Sequence, residues 1–226
     1  MEPLIERKSP LFYVVSLAAI VAPIAVYWQT FQHGENWLVI SIIYCAVLFG
    51  IPFLISLLLG FDFGFLVASE APESKHQFKR GLNFGAPITI LVCGAYWFYT
   101  QNNSLKFYYN LRNQHQVYMF SLIFTFLYPF VEGIYYRMFL LRSLQVGPHE
   151  LSRVIVSIVY GASYFFVFRA AVGGDDQGVI WAILCGIWCR FLIHLRHSYG
   201  GLAAMTTHMF ANASVAIILC WLQQHQ

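Results

Sequence analysis

Long apolar runs are the feature that most restricts the fold of this chain. No water in a bilayer core can satisfy backbone N–H and C=O groups, so an apolar run of about 20 residues forms a helix that spans the membrane. Hydrophobic residues make up 59% of the 226 positions. Charged residues make up only 10%, compared with about 25% in a soluble domain. The sequence therefore predicts an all-α, polytopic membrane helix bundle.

Seven runs are long enough to span. The predicted spans are residues 11–31, 37–60, 82–100, 117–142, 151–172, 178–196 and 200–222. An eighth helix would arise from a split of the 37–67 stretch or from a short interfacial helix within 101–116. The intervening polar segment ASEAPESKHQFKRG is expected to be a loop or an amphipathic surface segment. With no internal repeat or low-complexity tract, residues 1–226 are expected to form a single integral membrane domain.

The basic residues of the loops predict the orientation, because cytoplasmic loops are enriched in Lys and Arg. On one side of the predicted bundle lie Arg7, Lys8, Lys75, Lys79, Arg80, Arg142, Arg153 and Arg196. On the other side lie Lys106, Arg112 and Arg169. We therefore expect a cytoplasmic N-terminus and, for seven spans, an external C-terminus. The small size and short loops favour a bacterial inner membrane. The net charge of +3 is dispersed, so the expected partner is the lipid bilayer and not nucleic acid.

Glu132 is the acid that the sequence places at membrane depth, since the other acids fall in tails and connections. Ionisable groups inside a bilayer are costly and mark functional sites by default. Arg137 follows five residues later, and in an α-helix this separation turns the two side chains apart by about 140°. We therefore expect Arg137 to extend towards water or headgroups and not to pair with Glu132. Pro129 either kinks the helix beside the acid or is an ordinary membrane proline.

His208 and Asn212 form a second polar pair within a span. Four residues apart, they lie on one helix face and can hydrogen-bond a common oxygen. The alternative is a polar contact between helices, which is frequent in membrane bundles. At 1.5 Å per residue, Glu132 and His208 both lie about 14 Å from the cytoplasmic ends of their helices.

Arg169 leaves two interpretations open. It is either an interfacial residue beside Asp175 and Asp176 or an inward-pointing residue that approaches Glu132.

His194 and His197, at the end of the sixth predicted span, have no acid or thiol close in sequence, which favours a solvated helix end over a metal site. The five cysteines all fall inside apolar runs, where free Cys behaves as a small hydrophobic residue.

Several classes of intramembrane protease are excluded by their motifs. A zinc protease needs H-E-x-x-H, but Arg153 stands where the second histidine would follow His149 and Glu150. The adjacent Asp175 and Asp176 lie in a loop and cannot supply an aspartyl pair from two spans. A serine protease of the rhomboid type needs G-x-S-G, whereas Ser163 is followed by Tyr. No metal or cofactor is predicted, and what remains is a glutamate with a histidine and an asparagine.

These three residues, in this order, resemble the CAAX protease and bacteriocin-processing family, also called CPBP or Abi. That family carries E-E-x-x-x-R on one span, F-x-x-x-H on a later one and H-x-x-x-N on the last. FVEGIYYRMFLLRSL resembles the first motif, with Glu132 and Arg137 in register. ASYFFVFRA resembles the second, with Phe165 in register. GVIWAILCGIWCRFLIHLRHSYGGLAAMTTHMFAN resembles the last helical pair, with His208 and Asn212 in register.

The resemblance covers about residues 118–220 and implies a role for each matching residue. Glu132 would be the base that activates water, His208 and Asn212 would stabilise the developing oxyanion, and Arg137 would support them. The implied activity is metal-independent intramembrane hydrolysis of a membrane-associated or lipid-modified peptide. A transporter is disfavoured because the first three spans carry so few polar residues.

Two positions depart from the family pattern. Gly133 stands in place of the second glutamate, and Arg169 in place of the second-motif histidine. Arginine stays protonated, so it cannot act as a base. If Arg169 points inward, it would hold Glu132 ionised and weaken it as a base. If Arg169 points outward, Glu132 would act without a second base. The alternative to an active protease is therefore a pseudoprotease of the same fold that binds a membrane protein partner.

Overall fold

The computed structural model describes residues 10–32, 36–59, 74–102, 114–144, 149–169 and 174–224, and these residues form helices and no strands. Seven helices follow one another along the described chain. They are α1 Pro10–Gln32, α2 Trp37–Leu59, α3 Ser74–Asn102, α4 114–143, α5 His149–Phe168, α6 Asp175–Tyr199 and α7 Gly201–Gln224. The predicted all-α bundle is thereby confirmed. Of the two stretches in which we placed an eighth helix, 37–67 is a single helix as far as Leu59, and its remainder from position 60 lies outside the described residues. Most of the other stretch, 103–113, also lies outside them.

Five of the described helices are long and apolar enough to cross a membrane. The spanning stretches are Trp37–Ile55, Gln114–Leu140, Glu150–Phe168, Gly178–Tyr199 and Gly201–Leu222. Helix α1 contains a shorter apolar stretch, Leu17–Gln29. Helix α3 begins eight residues before the predicted third span, so SKHQFKRG is helical and not a loop. Large apolar side chains such as Leu57, Ile90 and Ile187 point outward, as a lipid-facing surface requires.

Small residues let the helices of the second half approach closely. A Cβ at Gly161 of α5 would collide with the carbonyl oxygen of Ala182 on α6, and one at Gly186 would lie 3.1 Å from the Ser157 carbonyl oxygen. Lipid gives little hydrophobic drive between helices, so such close backbone packing replaces it. This packing fixes α5 beside α6 and thereby sets the height of the tyrosines on α5.

Helices α3 and α7 are joined in the same way, with added hydrogen bonds. A Cβ at Gly85 would lie 2.7 Å from Cβ of Phe210. The Thr89 hydroxyl donates to the Phe210 carbonyl oxygen at 2.7 Å, and the Thr207 hydroxyl donates to the Gly81 carbonyl oxygen at 3.2 Å. These contacts anchor α7, the helix that carries His208.

Candidate active site

Helix α4 departs from α-helical geometry on both sides of Glu132. Residues Ile123–Leu127 and Gly133–Leu140 are π-helical, and the α-helical turn Tyr128–Glu132 lies between them. A π-helix hydrogen-bonds residue i to i+5 and occurs frequently at functional sites. The acid therefore lies in the part of the chain where the helix is least regular.

Pro129 and Asn212 explain how the first π segment is stabilised. The Tyr128 N–H donates to the Ile123 carbonyl oxygen, so the next bond in this register would run from residue 129 to Phe124. Proline has no N–H, which leaves the Phe124 carbonyl oxygen without that partner. The side-chain Nδ2 of Asn212 donates to it at 2.7 Å. Asn212 thus satisfies a backbone group that α4 itself cannot satisfy.

The Glu132 carboxylate is buried, with 1% of the residue exposed, and three tyrosines donate to it. Oε1 accepts the hydroxyls of Tyr44 at 3.0 Å and Tyr164 at 2.7 Å. Oε2 accepts the hydroxyl of Tyr160 at 3.0 Å. A buried carboxylate is tolerated only when it is hydrogen-bonded in this way, so the three tyrosines are the reason that Glu132 can occupy the core.

His208 lies between Glu132 and Arg137. Its Nε2 is 3.6 Å from Glu132 Oε2, and its Nδ1 is 3.3 Å from Arg137 Nη1. Arginine can only donate, so Nδ1 must be the acceptor and the proton of the neutral imidazole sits on Nε2. The protonated Nε2 is therefore the ring nitrogen nearer the carboxylate, at a distance longer than a hydrogen bond.

The structure corrects the expected position of Arg137. It does not extend to water or headgroups but is buried, with 4% of the residue exposed. Besides contacting His208, it donates through Nη2 to the Pro129 carbonyl oxygen at 2.9 Å. The α-helical angle between Glu132 and Arg137 does not apply, because the i to i+5 pattern of the π-helix brings residues five apart towards one face. Both residues can therefore contact His208.

Gly133 makes room for this arrangement. A Cβ at position 133 would lie 2.7 Å from Arg137 Nη2, so the guanidinium occupies the space that a side chain would take. At the position where the family pattern has a second glutamate, the Arg137 guanidinium therefore packs against the bare helix backbone.

Phe165 and Arg169 lie apart from the carboxylate. The Phe165 ring contacts Phe166 and the backbone beside Gly178. Arg169 forms an ion pair with Asp175, with 2.7 Å between Nε and Oδ1, and its side chain is 53% exposed. These placements correspond to the interfacial interpretation of Arg169.

Tyr160 and Tyr164 supply the contacts of α5 with Glu132, at positions five residues earlier than Phe165 and Arg169. Their four-residue spacing is the same as that of F-x-x-x-H and of the pair Phe165 and Arg169. This aromatic pair was the signal in the sequence that could have identified them. Tyr44 had no such signal, since it lies 88 residues from Glu132 on another helix.

Further tyrosines support the three that contact the acid. The Tyr44 hydroxyl lies 3.2 Å from that of Tyr136, which lies 3.0 Å from Ser163 Oγ. Tyr27 stacks on Tyr44 with ring centroids 4.3 Å apart, and its hydroxyl donates to Tyr128. In the described part of the chain, no group of three or more His, Cys, Asp or Glu residues could hold a metal ion.

One comparison with protein families found a match. A family model described as type II CAAX prenyl endopeptidase Rce1-like matches residues 114–214. This stretch of the chain is similar to that family. The match begins where α4 begins and ends just after Asn212, so it contains Glu132 and His208. Tyr44 lies outside it.

The match supports the fold of a CAAX-type intramembrane protease, in agreement with the apolar helices. No curated protein and no solved structure matches the chain significantly.

Proposed function

We propose that this protein is an intramembrane endopeptidase that hydrolyses a membrane-associated or lipid-modified peptide. The observation that supports this most is the contact of Glu132 with His208 inside the bundle, where Nε2 lies 3.6 Å from Oε2. The two residues come from α4 and α7 and lie within the stretch that matches the CAAX protease family. A buried acid beside an imidazole that donates a proton is the minimum needed to activate water and stabilise an oxyanion.

The proposed reaction is an addition followed by an elimination. Glu132 takes a proton from water as the water oxygen bonds to the scissile carbonyl carbon, and the carbonyl oxygen becomes an oxyanion. The Nε2–H of His208 donates to that oxyanion, and Arg137 holds His208 in this tautomer through Nδ1. Glu132 then passes its proton to the leaving nitrogen as the C–N bond breaks. Asn212 retains a second N–H besides the one on Phe124, and this could also donate to the oxyanion.

A second candidate function is a catalytically impaired member of the same fold that binds a membrane protein. The hydrogen bonds that the Glu132 carboxylate already accepts favour this candidate. Glu132 has about four acceptor sites, and three tyrosine hydroxyls donate to them, while His208 Nε2 lies 3.6 Å from Oε2. Two departures from the family pattern also favour it. Gly133 stands where the first motif has a second glutamate, and neither Tyr164 nor Arg169 is the histidine of the second motif.

Cleavage of a lipid-modified C-terminal peptide by the purified protein in detergent separates the two candidates. Products are identified by mass spectrometry for the wild type, Glu132→Gln and His208→Ala. An active site of the proposed kind loses about 100-fold or more in rate with Glu132→Gln, the size of a general-base contribution. Cleavage that survives Glu132→Gln would exclude the proposed mechanism.

Tyr164→His tests whether the site has been altered at the second motif, and Arg169→His is its matched control. If the wild type is inactive, a gain of cleavage with Tyr164→His but not with Arg169→His supports the impaired protein. The opposite result would show that the motif register lies at Phe165 and Arg169.

A further inference from the structure

The second π segment of α4 passes over one backbone carbonyl oxygen where it ends. In a π-helix the N–H of residue i+5 donates to the carbonyl oxygen of residue i, whereas in an α-helix the donor is residue i+4. Where the first pattern returns to the second, one carbonyl oxygen therefore receives no backbone donor. The Leu141 N–H donates to the carbonyl oxygens of Tyr136 and Met138. The carbonyl oxygen passed over is that of Arg137.

Arg196 of α6 supplies the donor that this carbonyl oxygen needs. Its Nη1 donates to the Arg137 carbonyl oxygen. The first π segment is completed in the same way, since Asn212 of α7 donates to the Phe124 carbonyl oxygen. A backbone carbonyl oxygen shielded from water is costly to leave without a donor. Each π segment of α4 thus depends on a side chain from another helix.

The turn between α6 and α7 holds Arg196 in place. The Gly200 N–H donates to the Arg196 carbonyl oxygen at 2.9 Å, and Gly200 has a φ of 96°, in the region that favours glycine. The buried side chain of Gln77 packs against Gly200, and its Oε1 accepts the Leu202 N–H at 3.2 Å. Arg196 and His208 lie on either side of this turn, so one fixed turn directs both of them towards α4.

The donor from α6 matters because an α-helical register competes with the π register in α4. An α-helical turn would let the Leu141 N–H reach the Arg137 carbonyl oxygen and would need no donor from another helix. It would also turn the Arg137 side chain about 140° away from Glu132. The π register instead brings Arg137 to His208, with 3.3 Å between Nη1 and Nδ1. Arg196 offsets the cost of the π register and thereby favours it.

We propose that Arg196 is a positioning residue of the site. By donating to the Arg137 carbonyl oxygen, it stabilises the register in which Arg137 contacts Nδ1 of His208 and leaves the ring proton on Nε2. Arg196 therefore acts through Arg137 and not on a substrate. Its effect on the His208 ring does not depend on turnover, whereas its effect on peptide cleavage rests on the proposed function.

The ring nitrogens of His208 test this role by nitrogen NMR. Full-length protein with isotopically labelled histidine is measured in detergent at one alkaline pH, at which the ring is neutral, and His208→Ala assigns the signals by their loss. In the wild type, Nδ1 is expected to give the signal of an unprotonated nitrogen and Nε2 that of a protonated one. In Arg196→Met the Nδ1 signal should shift towards that of Nε2, because the hydrogen bond from Arg137 weakens and the second tautomer becomes populated.

Arg196→Lys and Arg190→Met are the matched variants. Lysine keeps a cationic donor, so Arg196→Lys should shift the Nδ1 signal less than Arg196→Met does. Arg190 lies on the same helix but donates to Glu150, so Arg190→Met should leave the His208 signals unchanged. Thermal unfolding verifies that each variant is folded. If Arg196→Met does not fold, Arg196→Gln, whose side chain is two bonds shorter than arginine, carries the same expectation.

Unchanged His208 signals in the folded variant that lacks the donor would overturn the positioning role. Shifts of equal size in Arg196→Lys or Arg190→Met would overturn it as well. If the protein cleaves peptides, Arg196→Met should lower kcat by up to about 100-fold and leave KM nearly unchanged, because a misplaced catalytic group slows the chemical step.

The peptide cleavage assay keeps this result separate from the proposed function. Shifted signals in Arg196→Met with no cleavage by any variant or by the wild type support the positioning role and reject hydrolysis. Cleavage by the wild type with unchanged signals in Arg196→Met supports hydrolysis and rejects the positioning role.

Discussion

At the scale of single residues, Gly133 has a large effect on the site through the side chain it lacks. The Arg137 guanidinium lies where a Cβ would be, and it donates to the Pro129 carbonyl oxygen while its Nη1 faces His208. In Gly133→Ala the guanidinium must move and lose at least one of these contacts. A hydrogen bond from a charged group contributes about 1.5–3 kcal/mol, more than the roughly 1 kcal/mol by which Ala favours a helix over Gly. We therefore expect a lower unfolding temperature in detergent.

Gly94→Ala is the control for this prediction. Gly94 lies within α3, and a Cβ there would meet nothing within 4 Å. Its replacement should leave the unfolding temperature unchanged or raise it slightly, because the helix gains a better helix former at no steric cost. An equal decrease in both variants would show that the space beside Arg137 has no special role.

At the scale of the helix, Asn212 and Pro129 form a unit that can be tested as one. Asn212→Ala leaves the partly buried Phe124 carbonyl oxygen without its side-chain donor, which costs up to about 1–3 kcal/mol of stability. Pro129→Ala restores an N–H that can satisfy that carbonyl. The double variant should therefore be more stable than Asn212→Ala alone, as measured by thermal unfolding.

The same pair of variants separates a structural role of Asn212 from an oxyanion role. If Asn212 acts only on the Phe124 carbonyl, any cleavage activity lost in Asn212→Ala returns in the double variant. If stability returns and activity does not, Asn212 also contacts the substrate. A double variant less stable than either single variant would contradict the pairing itself.

The helices could be predicted from the sequence, but the geometry around Glu132 could not. Long apolar runs determine a helix wherever lipid denies the backbone other partners, so the seven runs and the seven described helices correspond. The π segments depend on Pro129 in α4 and on Asn212 in α7, 83 residues apart along the chain. Because our sequence analysis assumed α-helical angles, it directed Arg137 outward, whereas the π-helix directs it to His208.

The partners of Glu132 were only partly predictable for a related reason. His208 followed from the family resemblance, and it lies beside the acid. Tyr160 and Tyr164 follow from the position of α5 against α6, which small residues such as Gly161 determine. Tyr44 depends on how α2 lies against α4. Apolar periodicity identifies each helix but carries little information on which faces of distant helices meet.

At the scale of the whole molecule, the orientation in the membrane decides from which side a peptide reaches Glu132. The distribution of Lys and Arg predicts that the loop containing Lys106 and Arg112 is external and that the loop after Arg142 is cytoplasmic. Single cysteines introduced into a variant free of native cysteines test this, with Ser104→Cys in the first loop and Gly147→Cys in the second. A membrane-impermeant maleimide should label position 104 in intact cells and position 147 only after permeabilisation. Labelling in the reverse order would place the cytoplasmic ends of α4 and α7 outside, so a peptide would have to reach Glu132 from the external face.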